Sequence, residues 1–268
     1  MASDAVLTLD GLTPKELGMG VFRKTQRPIL SSTVDNTVTV PYMHGAYDFG
    51  AHMGPKPFTL ECAFIARNHM ELQERVSTLA AFLLDGDGRP KTMVIVFANQ
   101  PDRQYTVRYS GDLQIDRIAG LGTFTLPFTA YDPFAYSTWE SDELNVDSLV
   151  SVDSDIYVDT GYTFSVNSPQ SITIYNYGNQ NAQPIIEISG ALSSLSITIG
   201  GVEFIYSVPM SGTLTIDFKR KTARIGTTNV LQNTNAKFGK LPIGTSNLVV
   251  GGTGLNFSMA IKFRQKYA

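Results

Sequence analysis

The sequence predicts a mainly β protein with two domains. The first is an N-terminal β-sandwich or split-barrel-like domain that carries one α-helix, and the second is a C-terminal antiparallel β-sandwich of jelly-roll type. Three observations lead to this prediction. The chain has 268 residues, which is long for a single domain. Short segments rich in β-branched and aromatic residues alternate in polarity and are separated by Gly, Pro, Asn and Asp, and only one segment has the spacing of an amphipathic helix.

Five segments in the first half have the alternation expected of strands. They are "KPFTLECAFIA" (56–66), "KTMVIVFA" (91–98), "RQYTVRYSG" (103–111), "GDLQIDRIAG" (111–120) and "GTFTLPFTAY" (122–131). Because turn residues separate most of them, they favour an antiparallel arrangement.

The helix is predicted for residues 68–84, after the first of these strands. Its apolar residues at helical spacing are Leu72, Val76, Leu79, Ala80 and Leu83. Asn68 is placed to cap the first turn, and Glu71 follows three residues later as in a capping box. Gly86 or Gly88 is expected to end the helix.

A long segment before the first of these strands, residues 31–57, reads "SSTVDNTVTVPYMHGAYDFGAHMGPKP". It is polar at first and then punctuated by Gly and Pro, which predicts a loop. A long loop in a compact domain often serves as a binding loop, so we expect this one to act as an arm.

The aromatic strand at 122–131 ends abruptly at Asp132-Pro133. Pro133 cannot donate a ladder hydrogen bond and disfavours a helical conformation of the residue before it. The residues of this predicted joint are Tyr131, Asp132, Pro133 and Phe134. No Lys or Arg occurs between Arg117 and Lys219, and acidic residues concentrate after the joint. We therefore place the domains at 1–136 and 137–268, and we expect limited proteolysis to cut between residues 137 and 150.

The second half is a series of alternating segments with turn residues between them and no competing helical pattern. The segments are "YTFSVNS", "QSITIYNYG", "QPIIEISGA", "LSSLSITIGG", "VEFIYSVPM", "GTLTIDFKR", "KTARIGTTNV", "TSNLVVGG" and "LNFSMAIKFRQKYA". Between the last two, "GGTGLNF" precedes a strand rather than a helix, which predicts a hairpin turn and not a phosphate-binding loop.

Composition excludes several classes of function. The net charge is -3, without the clustered basic face that nucleic acid requires. The single cysteine, Cys62, cannot form an internal disulfide. The N-terminal segment has acidic residues and no uninterrupted apolar core, so we expect neither a signal peptide nor a membrane span, and we expect synthesis in a cytoplasm.

No catalytic, metal or cofactor site is predicted. His44, His52 and His69 lack the spacing of a zinc site. Cys62 lies in an alternating strand without a nucleophile signature, and we expect a packing role. Two of Glu140, Asp142 and Glu143 would have to flank one bond to hydrolyse a glycoside, and their closeness in sequence makes solvated acids the favoured interpretation.

Four tyrosines of the second half offer a different possibility, because exposed aromatic rings in a β-sandwich can stack on sugars. They are Tyr162, Tyr175, Tyr177 and Tyr206. Ordinary cross-strand packing in a Tyr-rich sheet is the favoured interpretation, and sugar stacking remains the alternative.

Several stretches resemble the distal tail proteins of siphophages, which form a ring between the tail tube and the tail tip. In the first half they are "LTLDGLTPKELGMGV", "TVPYMHGAYDFG" before "PFTLECAFIA", "DGDGRPKTMVIVFANQPDRQYTVRYSGDL" after the helix, and "GTFTLPFTAYDPFAY". In the second half they are "TLTIDFKRKTARIGTTNVLQ", "FGKLPIGTSNLVV" and "FSMAIKFRQKYA". Tyr42, Met43 and His44 stand where family members often have Pro-Gly and a basic residue, so a role for that basic residue does not carry over.

The resemblance implies a structural virion protein at the tail tip, or baseplate hub, of a long-tailed phage or prophage, and not an enzyme. Members form hexameric rings through their N-terminal domains and display galectin-like C-terminal domains outside. The implied partners are other copies of the chain, the tail tube protein, a tail-tip or tail-associated protein and a receptor-binding protein. No cofactor, nucleic acid or membrane is implied. The alternatives are a carbohydrate-binding module that recognises cell-surface sugars and, from a third class, a glycosidase.

Overall fold

The computed structural model describes residues 6–22, 26–118, 120–141 and 162–268. The chain divides into two compact units, Met1–Ala135 and Tyr136–Ala268. Both consist mainly of antiparallel strands, which confirms the predicted fold class. No helix in the described ranges has the length and apolar composition needed to cross a membrane.

The described part of the first unit contains nine complete strands, one helix and the start of a tenth strand. They are β1 (Leu7–Leu9), β2 (Gly20–Val21), β3 (Thr33–Val38), β4 (Tyr47–Met53), β5 (Lys56–Ile65), α1 (His69–Leu83), β6 (Thr92–Phe97), β7 (Gln100–Tyr109), β8 (Ile115–Ile118), β9 (Leu121–Ala130) and β10 (Ala135–Ser137).

The main sheet of this unit has the strand order β1-β6-β7-β9-β5-β2, with β8 paired to β9. Its two halves are joined narrowly, because β7 and β9 share only the pairs Arg108↔Thr129 and Tyr109↔Phe128. By contrast, β5 and β9 are paired along their whole ten-residue length. The two halves can therefore fold toward each other, as in an opened barrel.

Aromatic contacts show that the two halves do face each other. Phe58 on β5 lies 5.8 Å from Phe97 on β6 and 5.0 Å from Tyr105 on β7, measured between ring centroids. Neither β6 nor β7 pairs with β5 in the sheet. The alternation of buried residues in β5, β6 and β9 supplies the core between the halves.

The helix α1 begins as predicted and ends differently. Asn68 caps it, because its Oδ1 accepts a hydrogen bond of 2.9 Å from the Glu71 backbone N–H. Glu71 in turn accepts from the backbone N–H of Arg67 at 2.9 Å, one residue before the cap. The prediction that glycine ends the helix is wrong, since the C-cap is Leu84 in an extended conformation. The next turn is held by Asp85, whose Oδ1 accepts from the N–H groups of Asp87 and Arg89.

The segment 31–57 is not an irregular loop, so that part of the prediction is wrong. Its strands β3 and β4 form a separate two-stranded sheet with each other and pair with no other described strand. The Pro and Gly residues led to the prediction of a loop. In the structure Gly45 lies in the connection between the two strands, and Gly50 lies beside a shift in their register, so both are compatible with a hairpin. We call residues 33–53 the hairpin.

The described part of the second unit adds eleven strands and one short 3-10 turn. They are β11 (Thr163–Val166), β12 (Gln170–Asn176), β13 (Ile185–Leu192), β14 (Ser194–Ile199), β15 (Val202–Tyr206), β16 (Met210–Asp217), β17 (Thr222–Ile225), β18 (Thr228–Asn229), the turn Leu231–Asn233, β19 (Gly244–Thr253), β20 (Asn256–Lys262) and β21 (Lys266–Tyr267).

Ten of these strands, all except β21, form a β-sandwich. The six-stranded sheet has the order β11-β20-β13-β16-β17-β18, and the four-stranded sheet has the order β12-β19-β14-β15. Most alternate residues of the central strands are buried, and they contribute to one apolar core that includes Ile186, Ile188, Leu214, Leu248 and Val250. Two antiparallel sheets that share one core are the predicted architecture of this half.

The prediction of a hairpin at "GGTGLNF" is wrong. The strands on either side, β19 and β20, belong to different sheets, so the turn carries the chain from one sheet to the other. Gly252 and Gly254 have φ values of +129° and +63°, which suit glycine in such a crossing. Short-range alternation could not distinguish a hairpin from a crossing, because both look the same in sequence.

Residues 137–141 are built into the second unit. The Ser137 N–H donates to the Gln265 carbonyl at 2.9 Å, and the Ser141 N–H donates to the Phe263 carbonyl at 3.0 Å. Both serines and Trp139 are buried. Protease cleavage within 137–141 is therefore not expected, because the backbone there is hydrogen-bonded and inaccessible. The remainder of the expected window, residues 142–150, lies outside the described residues.

The packing of β9 gives a first test. Replacing the buried Leu126 with Ala should lower the free energy of unfolding by about 2–5 kcal/mol, because it removes buried methyl groups and leaves a cavity. Replacing the exposed neighbour Thr125 with Ala should change it by less than about 0.5 kcal/mol. Chemical denaturation followed by circular dichroism measures both values, and equal effects of the two changes would contradict the assigned register.

Candidate functional site

The hairpin is the most exposed regular structure of the first unit. Every described residue of β3, and all of β4 except Met53, is solvent-exposed. Cross-strand partners share a face of a two-stranded sheet. Since Val34 lies opposite His52 and Val38 lies opposite Tyr47, these four residues share one face. The side chains of this apolar face are exposed to solvent.

The opposite face of the hairpin is polar and acidic. Asp35 lies opposite Ala51, and Thr37 lies opposite Asp48. No Lys or Arg occurs between residues 31 and 55. The hairpin thus presents an apolar face and an acidic face on opposite sides.

The turn of the hairpin is also apolar. The Met43 N–H donates to the Val40 carbonyl at 3.1 Å, which closes a tight turn with Tyr42 in the left-handed region at φ +67°. The relative exposure of the Tyr42 side chain is 107%. A fully exposed aromatic ring on a strained turn is a feature that packing within the subunit does not explain.

The two ends of the hairpin are joined to each other at its base, and Lys56, close to the base, contacts the rest of the unit. The Gly54 N–H donates to the Ser32 carbonyl at 2.7 Å. The Lys56 Nζ donates to the Ile29 carbonyl at 3.0 Å and lies 5.2 Å from the centre of the Tyr105 ring. Lys56 is 3% exposed, and its burial lowers the pKa of its ammonium group. A buried lysine therefore ties the start of the segment to its end.

An isolated two-stranded hairpin is at best marginally stable in water. Here the apolar face and the turn remain uncovered, while the base holds the hairpin at a defined place on the unit. This arrangement has the properties of a contact surface for another protein.

The histidines do not assemble a site. His44 and His52 lie on the hairpin, and His69 opens α1. Among the residues that the structure describes, no group of three or more His, Cys, Asp or Glu side chains could hold a metal ion.

The candidate nucleophile Cys62 and the candidate acid Glu140 both make contacts within the fold. Cys62 is fully buried on β5, and its thiol lies 3.6 Å from the Leu60 carbonyl. Burial raises the pKa of the Cys62 thiol to about 12, which keeps it protonated and unreactive. Glu140 forms an ion pair of 3.2 Å with Arg264. Asp142 and Glu143 lie outside the described residues.

The predicted joint lies at the end of the first unit. β9 ends at Ala130, directly before Tyr131. The Asp132 side chain accepts from the Phe134 N–H at 3.5 Å, as in an Asx turn. The Arg108 guanidinium lies 4.6 Å from the centre of the exposed Tyr131 ring. Hydrogen bonds to Arg108 and Ser110 lower the pKa of Tyr131.

Two of the four candidate sugar-stacking tyrosines are core residues, so the expectation that they are exposed is wrong. Tyr162 is 4% exposed and Tyr206 is 1% exposed. Both rings cover apolar neighbours in the sandwich core. Tyr175 and Tyr177 lie near the surface, with ring centroids 4.1 Å apart. Strand alternation alone could not say which face of each strand was the outer one.

Comparison with known proteins gives a family match for part of the chain and matches to solved structures for nearly all of it. Residues 14–130 match the family model of the phage tail protein RIFT-related domain. The match lies within the first unit, and we call residues 14–130 the RIFT-related domain after the model that they match. No curated protein sequence matches the chain.

The RIFT-related domain and the sandwich that follows it together match a solved structure. The Dit protein of phage SPP1, described as a paradigm of the hub adsorption apparatus in Gram-positive infecting phages, is 16% identical, with a TM-score of 0.70. The match covers 98% of this chain and 99% of that one, so the two proteins share one fold from end to end. A chain of the phage P2 baseplate in its activated conformation with Ca is 10% identical, covering 96% of this chain and 93% of that one, with a TM-score of 0.40.

The sequence indicated an arm in the RIFT-related domain but not its structure. The alternation of Val34 and Val38 in "TVDNTV" is a strand signal, and "YDFGAHM" continues the pattern after Gly45. The many Gly and Pro residues outweighed that signal. The sequence could not reveal the role of Lys56 at the base of the hairpin, because its hydrogen-bond partner, the Ile29 carbonyl, lies 27 residues away.

The state of Cys62 gives a second test. In the folded protein the thiol should resist a disulfide reagent at pH 8, because it is buried and its pKa is raised to about 12. In denaturant it should react completely. The unfolded chain loses the thiol proton first, so the contribution of this group to stability should fall as the pH rises from the ordinary value of 9.0 toward about 12.

A matched control uses the exposed end of the same strand. With Cys62→Ala and Ile65→Cys combined, the new thiol should react at once, because Ile65 is 77% exposed. Rapid labelling of native Cys62 would contradict its burial and reopen a chemical role for it.

Proposed function

We propose that the chain is a distal tail protein that forms a hexameric ring and joins the tail tube to the tail tip or host-adsorption apparatus of a long-tailed phage or prophage. The observation that carries this proposal is the uncovered, two-faced hairpin on a RIFT-related domain. The shared fold with the SPP1 Dit protein supports the assignment to a hub. Six-fold symmetry follows from the family resemblance.

The hairpin suits a ring because rings are closed by heterologous contacts. Each subunit must offer two different surfaces, one of which fits the other surface of the next copy. A hairpin that extends from a fixed base is able to reach a neighbour, and its apolar face loses water when it is covered. The apolar face formed by Val34, Val38 and Tyr47 is the part we assign to the subunit contact.

The partners and location follow from this role. The ring would contact the tail tube protein on one side and a tail-tip or tail-associated protein on the other, with a receptor-binding protein as a further neighbour. The protein would be made in the host cytoplasm and would reside in the virion at the tail tip. The role is structural and needs no catalytic group, metal or cofactor.

The two faces of the hairpin allow a sharp test with adjacent residues. Val38→Asn places an amide on the apolar face, and Thr37→Asn places the same amide on the acidic face. Val38→Asn should lower the association constant of the multimer by about tenfold or more. A loss of about 1.4 kcal/mol of contact free energy is enough for a tenfold change. Thr37→Asn should change it little. Light scattering and sedimentation over a range of concentrations measure the association.

Both variants should keep the melting temperature of the wild type monomer, because both positions are exposed. If the wild type forms multimers only in the tail, the readout becomes incorporation of each variant into purified tails. A wild type that stays monomeric and is missing from purified tail tips would refute the proposal, as would equal effects of the two variants.

A further inference from the structure

The outer face of the four-stranded sheet in the second unit is almost free of charge. Among the residues of β12, β14, β15 and β19, the single charged side chain is Glu203. The six-stranded sheet differs, since its strands include Glu187, Asp217, Arg224 and Lys262. The face therefore suits a ligand without charge.

Hydroxyl and amide groups cover the middle of this face. Ile172 and Ile174 point into the core, so Ser171 and Thr173 point outward. Opposite them, Asn247 and Val249 are exposed on β19. The Thr173 Oγ1 donates to the Asn247 Oδ1 at 3.2 Å, which fixes the amide and presents its Nδ2 as a donor. Such groups exchange hydrogen bonds with neutral hydroxyl groups.

An aromatic platform lies at one end of the face. Tyr175 is 37% exposed, and its ring packs against the Tyr177 ring at 4.1 Å. The Tyr175 N–H donates to the Tyr162 Oη at 3.3 Å, which ties the platform to the core. A fixed, partly exposed aromatic ring is suited to stack on the C–H face of a sugar.

The far end of the face carries small residues. Gly251 lies opposite Ser196, and the Ser196 hydroxyl fills the space above the glycine, since a Cβ atom at residue 251 would lie only 2.8 Å from the Ser196 Oγ. Tyr175 lies opposite Thr245, six residues before Gly251 on the same strand. At roughly 3.4 Å per residue, the platform and Gly251 are about 20 Å apart. A face of this length fits a chain of sugars better than a single sugar.

We infer that this face binds an extended, uncharged oligosaccharide, with the Tyr175–Tyr177 pair as a stacking platform and Asn247 as a hydrogen-bonding residue. The inference goes beyond the proposed ring-forming role, which depends on the hairpin of the other unit. It assigns the sandwich its own ligand class, and it excludes the buried Tyr162 and Tyr206 from contact with that ligand.

The test uses the full chain and an array of neutral and acidic oligosaccharides, followed by titration calorimetry with the best neutral one. Neutral chains of several sugars should bind, and acidic ones should bind more weakly. Tyr175→Ala and Asn247→Ala should each weaken binding by about tenfold or more, and Tyr175→Phe should retain it.

Thr213→Ala is the matched control. Thr213 is exposed on the six-stranded sheet, where its hydroxyl lies 3.1 Å from the Ser189 hydroxyl much as Thr173 contacts Asn247. This change should leave binding unaltered. Asn247→Ala alters an exposed side chain and should not affect folding, which thermal melting verifies.

Two results would overturn the inference. One is the absence of binding to any neutral oligosaccharide at millimolar concentration. The other is a loss of tail incorporation in Tyr175→Ala and Asn247→Ala without any sugar binding by the wild type, which would make the face a protein contact. Neither Tyr175 nor Asn247 lies on the hairpin. Either result therefore leaves the separate test of ring formation unaffected.

Discussion

A strand sends successive side chains to opposite faces, so every sheet with an apolar face needs something to cover it. This constraint accounts for most of the molecule. In the first unit the sheet halves cover each other, with Phe58 against Phe97 and Tyr105. In the second unit two separate sheets share one core. The two-stranded sheet of the hairpin is the described sheet whose apolar face stays exposed. For that reason we assign this face to the contact with a neighbouring subunit.

The anchoring of the hairpin explains how an uncovered element keeps a defined position. A free arm would lose conformational entropy when it docks, and that loss would weaken association. The contacts of Lys56 with Ile29 and of Gly54 with Ser32 fix the base in advance. Burying an ammonium group is costly, because removal from water disfavours its charged form and lowers the pKa of Lys56. That cost is consistent with a positioning role at the base.

The two surfaces we propose differ in chemistry. The hairpin offers apolar side chains backed by an acidic face, which favours a protein partner that removes water. The outer face of the four-stranded sheet offers hydroxyl, amide and aromatic groups with one carboxylate, Glu203, at its side. A ring contact and a sugar contact on different units would let one chain serve assembly and adsorption together. Neither contact uses Cys62 or Glu140, which are accounted for by burial and by the ion pair with Arg264.

The sequence by itself determined the features that depend on local pattern. Alternation predicted most of the strands of both units, the spacing of Leu72, Leu79 and Leu83 predicted the helix, and Asn68 marked its start. The tail-protein resemblance could also be seen in the order of the motifs. These features depend on neighbours within a few residues, so a sequence displays them directly.

The tertiary structure decided which strands pair and which face of each strand is outside. Those choices sent Tyr206 into the core and left Tyr175 at the surface, and they made "GGTGLNF" a crossing between sheets instead of a hairpin. They also joined Lys56 to Ile29 and set Val38 and Tyr47 on one uncovered face. The physical reason is that pairing and burial depend on residues far apart in the chain, while the alternating pattern is the same for either choice.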